Sequence, residues 1–376
     1  MPLPELLLEE SFVFSSLQKV SLQSLRLDQI NWERVKFLLE DHRIAPWFYQ
    51  RLLGQEKPIQ ALIPQAFWEY LEQAYYQNLA YNSFLLHEMV KVQQLLEDKG
   101  ITPLFFKGVE LSALAYKDLG SRVVTDVDMI VPRHQIHETI RYLEEAGFRE
   151  EIAGKPAAHN VSILSFTGLW GNAHGYQRVT ESGQLFSLDV HWAVAPRYFQ
   201  LRYSADQWWE RSRVVSIQGK PVRVLSPEDR FILLSIHGAK HAWMWLRLIA
   251  DIAAYLENKG DKVNWSVLFE RAKGCRCGRM VALSLVLAHQ LLKVPLSVEQ
   301  KQFIAQYGRM DQLVDWVCQL LLRRRPWKGA SLFNEMRFQL AVRDRLWEGL
   351  GSCYYLFRIT FWPVKPAIRL ETGAHV

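Results

Sequence analysis

The spacing of apolar and polar positions divides the chain into three stretches. From about residue 22 to residue 98, apolar residues recur every three or four positions, which predicts helices. From about residue 101 to residue 223, short alternating or fully apolar runs predict strands with helices between them. Helical spacing then returns. We therefore predict an α+β fold, in which a mixed β-sheet core at residues 101–223 lies between helical regions at residues 1–100 and 224–376.

The boundaries of the predicted elements follow from the same patterns. Predicted helices include Trp32–Glu40, Pro64–Tyr81, Ser83–Lys99, Val109–Lys117 and His134–Ala146. Predicted strands are Ile101–Phe106, Arg122–Val131, Val161–Phe166, Tyr176–Thr180 and Leu185–Val190, the last two joined by a Glu-Ser-Gly-Gln turn. The third stretch opens on Ser226-Pro227-Glu228-Asp229, where a hydroxyl N-cap, an early proline and two acids indicate a helix start.

Two aspartates lie on one face of the predicted strand Arg122–Val131. Asp126 and Asp128 are two residues apart and about 7 Å apart along the backbone, which suits them to bridge divalent cations. Asp189, on a later predicted strand, would complete a cage for two metal ions. Two exposed surface aspartates are also commonplace, so the Asp-x-Asp pair alone leaves that interpretation open.

A phosphate-binding turn is predicted at the end of the strand Ile101–Phe106. Gly108 would let the backbone approach phosphate oxygens, and Lys107 or Arg122 would supply positive charge. The carboxylates and the turn together favour chemistry on a nucleotide.

These residues carry a resemblance to a known family. The motifs are Lys107-Gly108, Arg122-x-x-x-Asp126-x-Asp128, Leu188-Asp189-Val190-His191-Trp192, and Ser226-Pro227-Glu228-Asp229 leading into His237-x-x-x-His241-x-Trp243 and Asp251. From about Trp32, through Arg43-Ile44-Ala45-Pro46, to about Leu292, the chain resembles the uncharacterised nucleotidyltransferase-like family of the DNA polymerase β-type superfamily.

The resemblance implies a nucleotidyltransferase-type mixed sheet and a role for each acid. Asp126 and Asp128 would hold Mg²⁺, with Mn²⁺ as an alternative, and Asp189 would complete the metal site or help to deprotonate the acceptor. The chain departs from the superfamily pattern at Val109, where Ser or Gly usually follows the glycine. Phosphate binding would then depend on backbone N–H groups and Lys107.

Three histidines and a lysine are candidate supporting residues. His191 projects to the same side as Asp189, where it would orient that acid or act on the acceptor, although a strand-end histidine bonded to the backbone is at least as well supported. His237 and His241 lie one helical turn apart; this spacing can bind metal, but a polar lining of the cleft or a packing cluster is favoured. Lys240 would face the triphosphate or remain on a solvated helix face.

Other polar residues are assigned to structure. Arg247 and Asp251 are four residues apart and predict an ion pair. His174 and Arg178 rank below the candidates above. Packing or solvation is also favoured for Trp208-Trp209, Trp243-x-Trp245 and the basic run Arg323–Lys328. The four cysteines include one C-x-C pair without a partner pair at zinc spacing, which predicts reduced thiols.

Composition limits the class of protein. The chain has 376 residues, of which 49% are hydrophobic and 22% charged, and this excludes disordered, collagen-like and small disulfide-rich proteins. Its net charge of +6 suits a polyanion of any size from a nucleotide to RNA. An acidic N-terminus and the lack of a run of about 20 clean apolar residues predict a cytoplasmic protein without a membrane partner.

Three functional hypotheses follow. The first is a Mg²⁺-dependent nucleotidyltransferase that moves a nucleoside monophosphate from an NTP such as ATP to an acceptor, with a small molecule, peptide or protein favoured over a long nucleic acid. The second is a catalytically silent nucleotide-binding or scaffold protein. The third is a metal-dependent hydrolase that uses His237, His241 and Asp251.

Overall fold

The computed structural model describes residues 5–150, 173–195, 199–203, 206–257, 263–322 and 332–345, with a few positions between 350 and 357. Its helices are α1 (Leu8–Leu17), α2 (Trp32–Asp41), α3 (Ala45–Leu53), α4 (Lys57–Gln60), α5 (Gln65–Glu97), α6 (Gly108–Leu111), α7 (Ile136–Glu145), α8 (Asp206–Arg211), α9 (Pro227–Lys240), α10 (Leu246–Glu257), α11 (Trp265–Gly274), α12 (Gly278–Leu292), α13 (Val298–Ile304), α14 (Met310–Leu321) and α15 (Leu332–Ala341). Its strands are β1 (Leu104–Phe105), β2 (Val127–Ile130), β3 (Arg149–Glu150), β4 (Ala173–Val179), β5 (Leu185–His191), β6 (Arg213–Ile217) and β7 (Lys220–Val224).

The strands form one mixed sheet in the order β3-β4-β5-β2-β1-β7-β6. At its centre β2 runs parallel to β5, with Asp128 opposite Asp189 and Ile130 opposite His191. Strand β1 is antiparallel to β2 and parallel to β7, while β3–β4, β4–β5 and β6–β7 are antiparallel pairs. Because side chains alternate between the faces of a sheet, this register puts the two aspartates side by side on one face.

The two faces of the sheet differ in what covers them. On one face, apolar residues of β1, β2 and β5 join the second half of α5 and helix α7 in a buried cluster; its members include Phe105, Met129, Leu188, Leu86 and Leu143. On the other face, Phe106 and Ile130 pack with Leu233 of α9. Asp128, Asp189 and His191 belong to this second face by alternation.

Helices from both ends of the chain share a larger hydrophobic core. Phe12 and Phe48 of the N-terminal helices lie in the same buried cluster as Leu283 and Leu287 of α12. Burying such a side chain contributes about 1.5–3 kcal/mol relative to leaving it exposed. This core therefore fixes α9 and α10, which belong to it, against the second face of the sheet. The predicted boundaries at residues 100 and 223 stay a prediction.

The structure confirms the predicted α+β class and several local signals. Ser226 caps α9 by accepting a hydrogen bond from the backbone N–H of Asp229, with Pro227 as the first helical residue. The β4–β5 hairpin closes where it was expected. The two predicted helices Pro64–Tyr81 and Ser83–Lys99 are one continuous helix, α5, because Asn82 lies within it and donates from Nδ2 to the carbonyls of Leu119 and Arg122.

The strand predicted over Arg122–Val131 is shorter in the structure and covers Val127–Ile130. The preceding backbone is bonded to side chains of α5, since Asn78 donates from Nδ2 to the carbonyls of Gly120 and Arg122. Asp126 therefore comes just before the strand. Strands β6 and β7 were not predicted, because both are short and mix apolar residues with polar or charged ones, Arg213 and Ser216 in β6 and Lys220 and Arg223 in β7.

Some predictions fall outside the described residues. These are the strand Val161–Phe166 and the basic run Arg323–Lys328. Among the residues that the structure does describe, no helix combines the length and the apolar character needed to span a bilayer.

Candidate metal and phosphate site

The sheet register assembles a candidate metal cluster from two neighbouring strands. Asp128 of β2 and Asp189 and His191 of β5 each direct one ligand atom to a common point, where these atoms lie within 4.8 Å of one another. Asp128 and His191 are buried, and Asp189 is half-buried. Opposite positions on adjacent parallel strands are fixed by backbone hydrogen bonds, so the cluster is preorganised by the fold.

Two donors converge on one oxygen of Asp128. Lys107 Nζ lies 2.7 Å and His191 Nε2 lies 2.9 Å from Oδ1. Burial would raise the pKa of Asp128, but Lys107 and His191 outweigh it and hold that pKa well below its ordinary value. Burial lowers the pKa of His191 despite its bond to Asp128. A neutral imidazole that faces an ionised carboxylate donates from Nε2, so His191 orients Asp128.

A left-handed turn brings Lys107 to this position. Both Lys107 (φ +61°) and Gly108 (φ +57°) adopt positive φ after β1, and Lys107 Nζ lies 5.0 Å from the centre of the Phe106 ring. A Cβ at position 108 would lie 3.2 Å from the backbone oxygen of Asp126. Glycine therefore permits a close approach between this turn and the segment that carries the acids.

Asp126 is half-buried at the edge of the cluster, immediately before β2. Burial raises its pKa, and so does the nearby charge of Asp128, while Lys107 and Arg247 act in the opposite direction. The three residues whose ligand atoms lie within 4.8 Å of one another are Asp128, Asp189 and His191. Asp126 is not among them. We call Asp126, Asp128 and Asp189 the carboxylate site.

Val109 faces away from the carboxylate site. Its side chain is 1% exposed and belongs to the apolar cluster beneath the sheet, together with Val124 and Val127. The residue after the glycine is therefore a core position in this chain, and its lack of a hydroxyl reflects packing.

Arg122, a predicted phosphate ligand, is held in a buried ion pair. Its Nε and Nη2 donate to the two oxygens of Asp251 at 2.8 and 3.0 Å, and Tyr116 donates its hydroxyl to Oδ1 at 2.7 Å. The predicted pairing of Arg247 with Asp251 was wrong in its partner, since Asp251 bonds Arg122 across 129 residues. The hydrolase hypothesis required Asp251 as its acid, and Asp251 is already bonded to Arg122 and Tyr116. We call Arg122 and Asp251 the structural pair.

Lys240 lies at the end of α9, within electrostatic reach of the carboxylate site. Burial and the charge of Lys107 lower the pKa of Lys240 to about 8, while Asp128 and Asp189 act in the opposite direction. The structure therefore brings Lys107, Lys240 and the carboxylates within electrostatic reach of one another, and their role in phosphate binding stays a prediction.

His237 and His241 are also near this place but do not form a metal cluster in the part of the chain that the structure describes. Their ring centres are 4.8 Å apart, and His241 lies 5.5 Å from the Trp245 ring. Burial lowers the pKa of both imidazoles well below the ordinary value, and Lys107, Lys240 and Arg247 add to this effect. Both imidazoles are therefore neutral and pack edge to face, and a polar lining of the cleft or a packing cluster stays the predicted role of the pair.

Two arginines lie beside these histidines: the sequence assigned Arg247 to an ion pair and gave Arg43 no role of its own. Arg247 donates from Nη1 to the carbonyl of Val123 at 3.1 Å, and burial together with Arg122 and Arg43 lowers its pKa to about 10. Arg43 adopts φ +55° and lies 5.5 Å from the Trp245 ring. The motif Arg43-Ile44-Ala45-Pro46 contains Arg43, but no local sequence pattern relates it to residues about 200 positions later.

The lower-ranked candidates lie elsewhere. His174 pairs with Glu150 at 3.1 Å, and Arg178 pairs with Glu88 at 2.6 Å. Trp208 and Trp243 are buried, and Trp209 donates to the carbonyl of Thr102, which agrees with the packing assignment.

Comparison with known proteins gives a family match and likenesses to solved structures. The model of a family described as uncharacterised nucleotidyltransferase matches residues 28–293. The chain is similar to a solved structure described as an antigenic nucleotidyltransferase-like protein from Paracoccidioides brasiliensis, with 17% identity and a TM-score of 0.34 over 57% of this chain and 94% of that chain. At that TM-score the likeness carries no argument. No curated protein matches the chain.

Proposed function

Because the chain belongs to the uncharacterised nucleotidyltransferase family, we propose that it transfers a nucleoside monophosphate from an NTP to an acceptor with the help of a divalent ion. The observation that carries this proposal is the register of β2 and β5, which sets Asp128 opposite Asp189 beside two lysines. The preferred acceptors remain small molecules, peptides or proteins.

The residues present fit a divalent ion. Asp128 and Asp189 offer converging carboxylate oxygens, and Asp126 offers another close by, which is the donor type that Mg²⁺ and Mn²⁺ prefer. His191 is engaged as a donor to Asp128, so we assign it to orientation and leave the ion to the three carboxylates. When bound, the ion would neutralise phosphate charge and polarise the phosphoryl oxygens.

The chain's own groups would bind and align the triphosphate. The Lys107 and Lys240 ammonium groups supply positive charge next to the carboxylates, and the turn at Gly108 lets backbone N–H groups approach phosphate oxygens. Arg122 is left out of this set, because both of its donor contacts to Asp251 are buried. Such alignment contributes much of the rate in phosphoryl and nucleotidyl transfer.

Asp189 is the group that we assign to the acceptor's proton. As the acceptor oxygen or nitrogen bonds to the α-phosphorus, its proton passes to a carboxylate oxygen of Asp189 and pyrophosphate leaves. The half-buried position of Asp189 at the second face of the sheet leaves it accessible for this step.

One observation favours the silent nucleotide-binding alternative. Lys107 already places a cation 2.7 Å from Asp128 Oδ1, where it offsets part of the negative charge that would otherwise attract a metal ion. A protein that keeps this ion pair would bind a nucleotide without turnover.

The test is transfer of label from each of the four α-labelled NTPs, with Mg²⁺ or Mn²⁺, to small molecules, peptides, total RNA and the protein itself. Asp126→Ala combined with Asp128→Ala should abolish labelling, and circular dichroism with the melting temperature verifies that the variant is still folded. The matched control is Asp28→Ala, an exposed acid outside the site, which should label as the wild type does.

Pyrophosphate release and nucleotide binding separate the two functions. Release that depends on an acceptor and on Asp126 and Asp128 supports transfer. Binding of NTP without release supports the silent alternative. Labelling that persists in the double variant would contradict both the proposed transfer and its assignment to the carboxylate site.

A further inference from the structure

Two groups of cations lie near the carboxylate site, and Lys240 and Arg247 act on different acids of it. Lys240 is electrostatically coupled to Lys107, Asp128 and Asp189, whereas Arg247 is coupled to Asp126, to Arg43 and to the structural pair. The proposed function uses the first group for the triphosphate. The second group has no assigned ligand.

The second group is built from three separate segments. Arg43 comes from the turn between α2 and α3, His241 from the end of α9, and Trp245 and Arg247 from the start of α10. His42 ties these segments together, since its Nδ1 and its carbonyl accept from the backbone N–H groups of Leu246 and Arg247. Four residues, Arg43, His241, Trp245 and Arg247, are hereafter called the arginine cluster.

The cluster has charge and donor capacity that the described protein does not use. The Arg247 side chain donates from Nη1 to the carbonyl of Val123, and its buried Nε has no hydrogen-bond partner among the described residues. Arg43 is half-buried over the Trp245 ring, and its guanidinium has no carboxylate within ion-pair distance in the described chain. A buried donor without an acceptor is costly unless a ligand satisfies it.

The backbone around the cluster is also held in an unusual conformation. Arg43, Ala242 and Trp243 all have φ between +48° and +55°. Left-handed conformations of residues other than glycine cost of order 1 kcal/mol or more and concentrate at functional sites. Here they direct the connection between α9 and α10, and the turn before α3, toward one another.

We propose that the arginine cluster binds an anionic group of the acceptor, a phosphate or a carboxylate, beside the carboxylate site. The planar guanidinium groups of Arg43 and Arg247 match the bidentate geometry of both anions. His241 and Trp245 provide an aromatic surface for the part of the acceptor next to that group. This inference rests on the proposed function, because it names the class of its second substrate.

The position of the cluster explains why the acceptor, and not the triphosphate, is its ligand. Lys107 and Lys240 flank Asp128 and Asp189, and the turn at Gly108 adjoins them. Arg247 donates to the carbonyl of Val123, three residues before Asp126 in the chain, and its charge acts on Asp126. An anion in the cluster would therefore lie beside the reacting phosphate and could be bound at the same time as the nucleotide.

The first experiment measures inorganic phosphate as the probe, by calorimetry and ³¹P NMR, in the full-length protein. Titrations are made without nucleotide and again after saturation with the α,β-methylene analogues of the four NTPs and Mg²⁺. We expect phosphate to bind in the presence of the analogue. Arg247→Gln and Arg43→Gln should each weaken this binding by about tenfold or more and change the analogue's Kd by less than about twofold.

Two further variants serve as controls. Arg247→Lys retains the charge and should recover part of the phosphate affinity, which a purely structural loss would not do. Arg26→Gln removes an exposed arginine that pairs with Asp28 outside the site and should bind phosphate as the wild type does. Melting temperatures verify that each variant is folded.

The outcomes distinguish the proposals. Displacement of phosphate by the analogue, with weaker analogue binding in both variants, would assign the cluster to the triphosphate tail and overturn the inference. Unchanged phosphate binding in the variants, or none in the wild type, would overturn it as well. If no analogue binds, the proposed function fails, while phosphate binding that depends on Arg247 still establishes the anion site.

A transfer assay with matched acceptors provides the second arm. Neutral sugars, their phosphates and the corresponding sugar acids are offered with α-labelled NTP. Label on the phosphorylated or the carboxylated set identifies which anion the cluster takes. Labelling confined to the neutral set would contradict the inference and leave the proposed function standing.

Discussion

Two buried ionic groups in this molecule differ in how their charges are partnered. In the structural pair, Arg122 and Asp251 meet with two hydrogen bonds, and Tyr116 fills a further acceptor position on the same carboxylate. In the carboxylate site, three acids lie together, and Lys107 and His191 both bond the same oxygen of Asp128. The first group is a balanced one-to-one ion pair, whereas the second brings several carboxylates to one place.

The difference appears in the direction of the pKa values. Burial lowers the pKa of Arg122, but Asp251 outweighs burial and raises it, and the pKa of Tyr116 is raised well above its ordinary value by burial and Asp251. In the carboxylate site, burial and Asp128 raise the pKa of Asp126, and burial lowers that of Lys240. Charges that the fold itself disfavours are the ones for which an external ligand is expected.

The largest expected effect is on the structural pair. Asp251→Asn leaves the Arg122 guanidinium buried without its counter-charge, and we expect the free energy of unfolding to fall by about 3–5 kcal/mol. Urea denaturation at pH 7 measures this loss.

A double variant tests whether the loss comes from the unpaired charge. Arg122→Met with Asp251→Leu replaces both partners by apolar groups and should cost less than Asp251→Asn alone. A loss below about 1 kcal/mol for Asp251→Asn would break the comparison, since the structural pair would then behave as an exposed one does.

Local sequence patterns were sufficient for the parts of the site that lie on one element or on adjacent strands. Asp128 and Asp189 were found because alternation and a strand pattern fix which face each side chain takes. Asp126 was predicted to lie within a strand, but it comes just before one, since the predicted strand began five residues too early. The error arose because Asn78 and Asn82 accommodate that segment by side-chain bonds, which hydrophobic spacing does not encode.

Long-range partners could not be predicted in the same way. Arg122 was read as a phosphate ligand, and Asp251 was paired with Arg247 by helical spacing, although Asp251 binds Arg122 from another element. The arginine cluster likewise joins Arg43 to residues about 200 positions later. Such pairings depend on how α10 packs against the sheet, and no periodicity within either segment carries that information.

The next effect concerns Lys240 and alkaline pH. Its folded pKa of about 8 lies below the ordinary 10.5, so between these values the folded chain has lost a proton that the unfolded chain retains. Stability therefore rises with pH across this window. With EDTA present, we expect the wild type to gain about 2 kcal/mol relative to Lys240→Met between pH 8 and pH 10.5. Parallel curves for the two proteins would place Lys240 among ordinary surface lysines.

A smaller effect sharpens the boundary between the site and the core. Val109→Thr is nearly isosteric but buries a hydroxyl in the apolar cluster, and we expect a loss of about 1–2 kcal/mol in the free energy of unfolding. Because the side chain faces away from the carboxylate site, the NTP affinity should not improve. An increase in NTP affinity would mean that position 109 contributes to phosphate binding, as the superfamily pattern suggests.

The smallest effect has the opposite sign from the first. The raised pKa of Asp126 means that, above the ordinary value of 3.8, the folded chain holds a proton that the unfolded chain has lost, so stability falls as pH rises through this window. Asp126→Asn removes that loss. With EDTA present, the variant should be more stable than the wild type at pH 7 and equal to it below about pH 3.8. Urea denaturation from pH 3 to pH 8 measures the difference. If Asp126→Asn lost stability at pH 7 as Asp251→Asn does, the carboxylate site would be another balanced ionic group, and the case for a bound cation would fall with it.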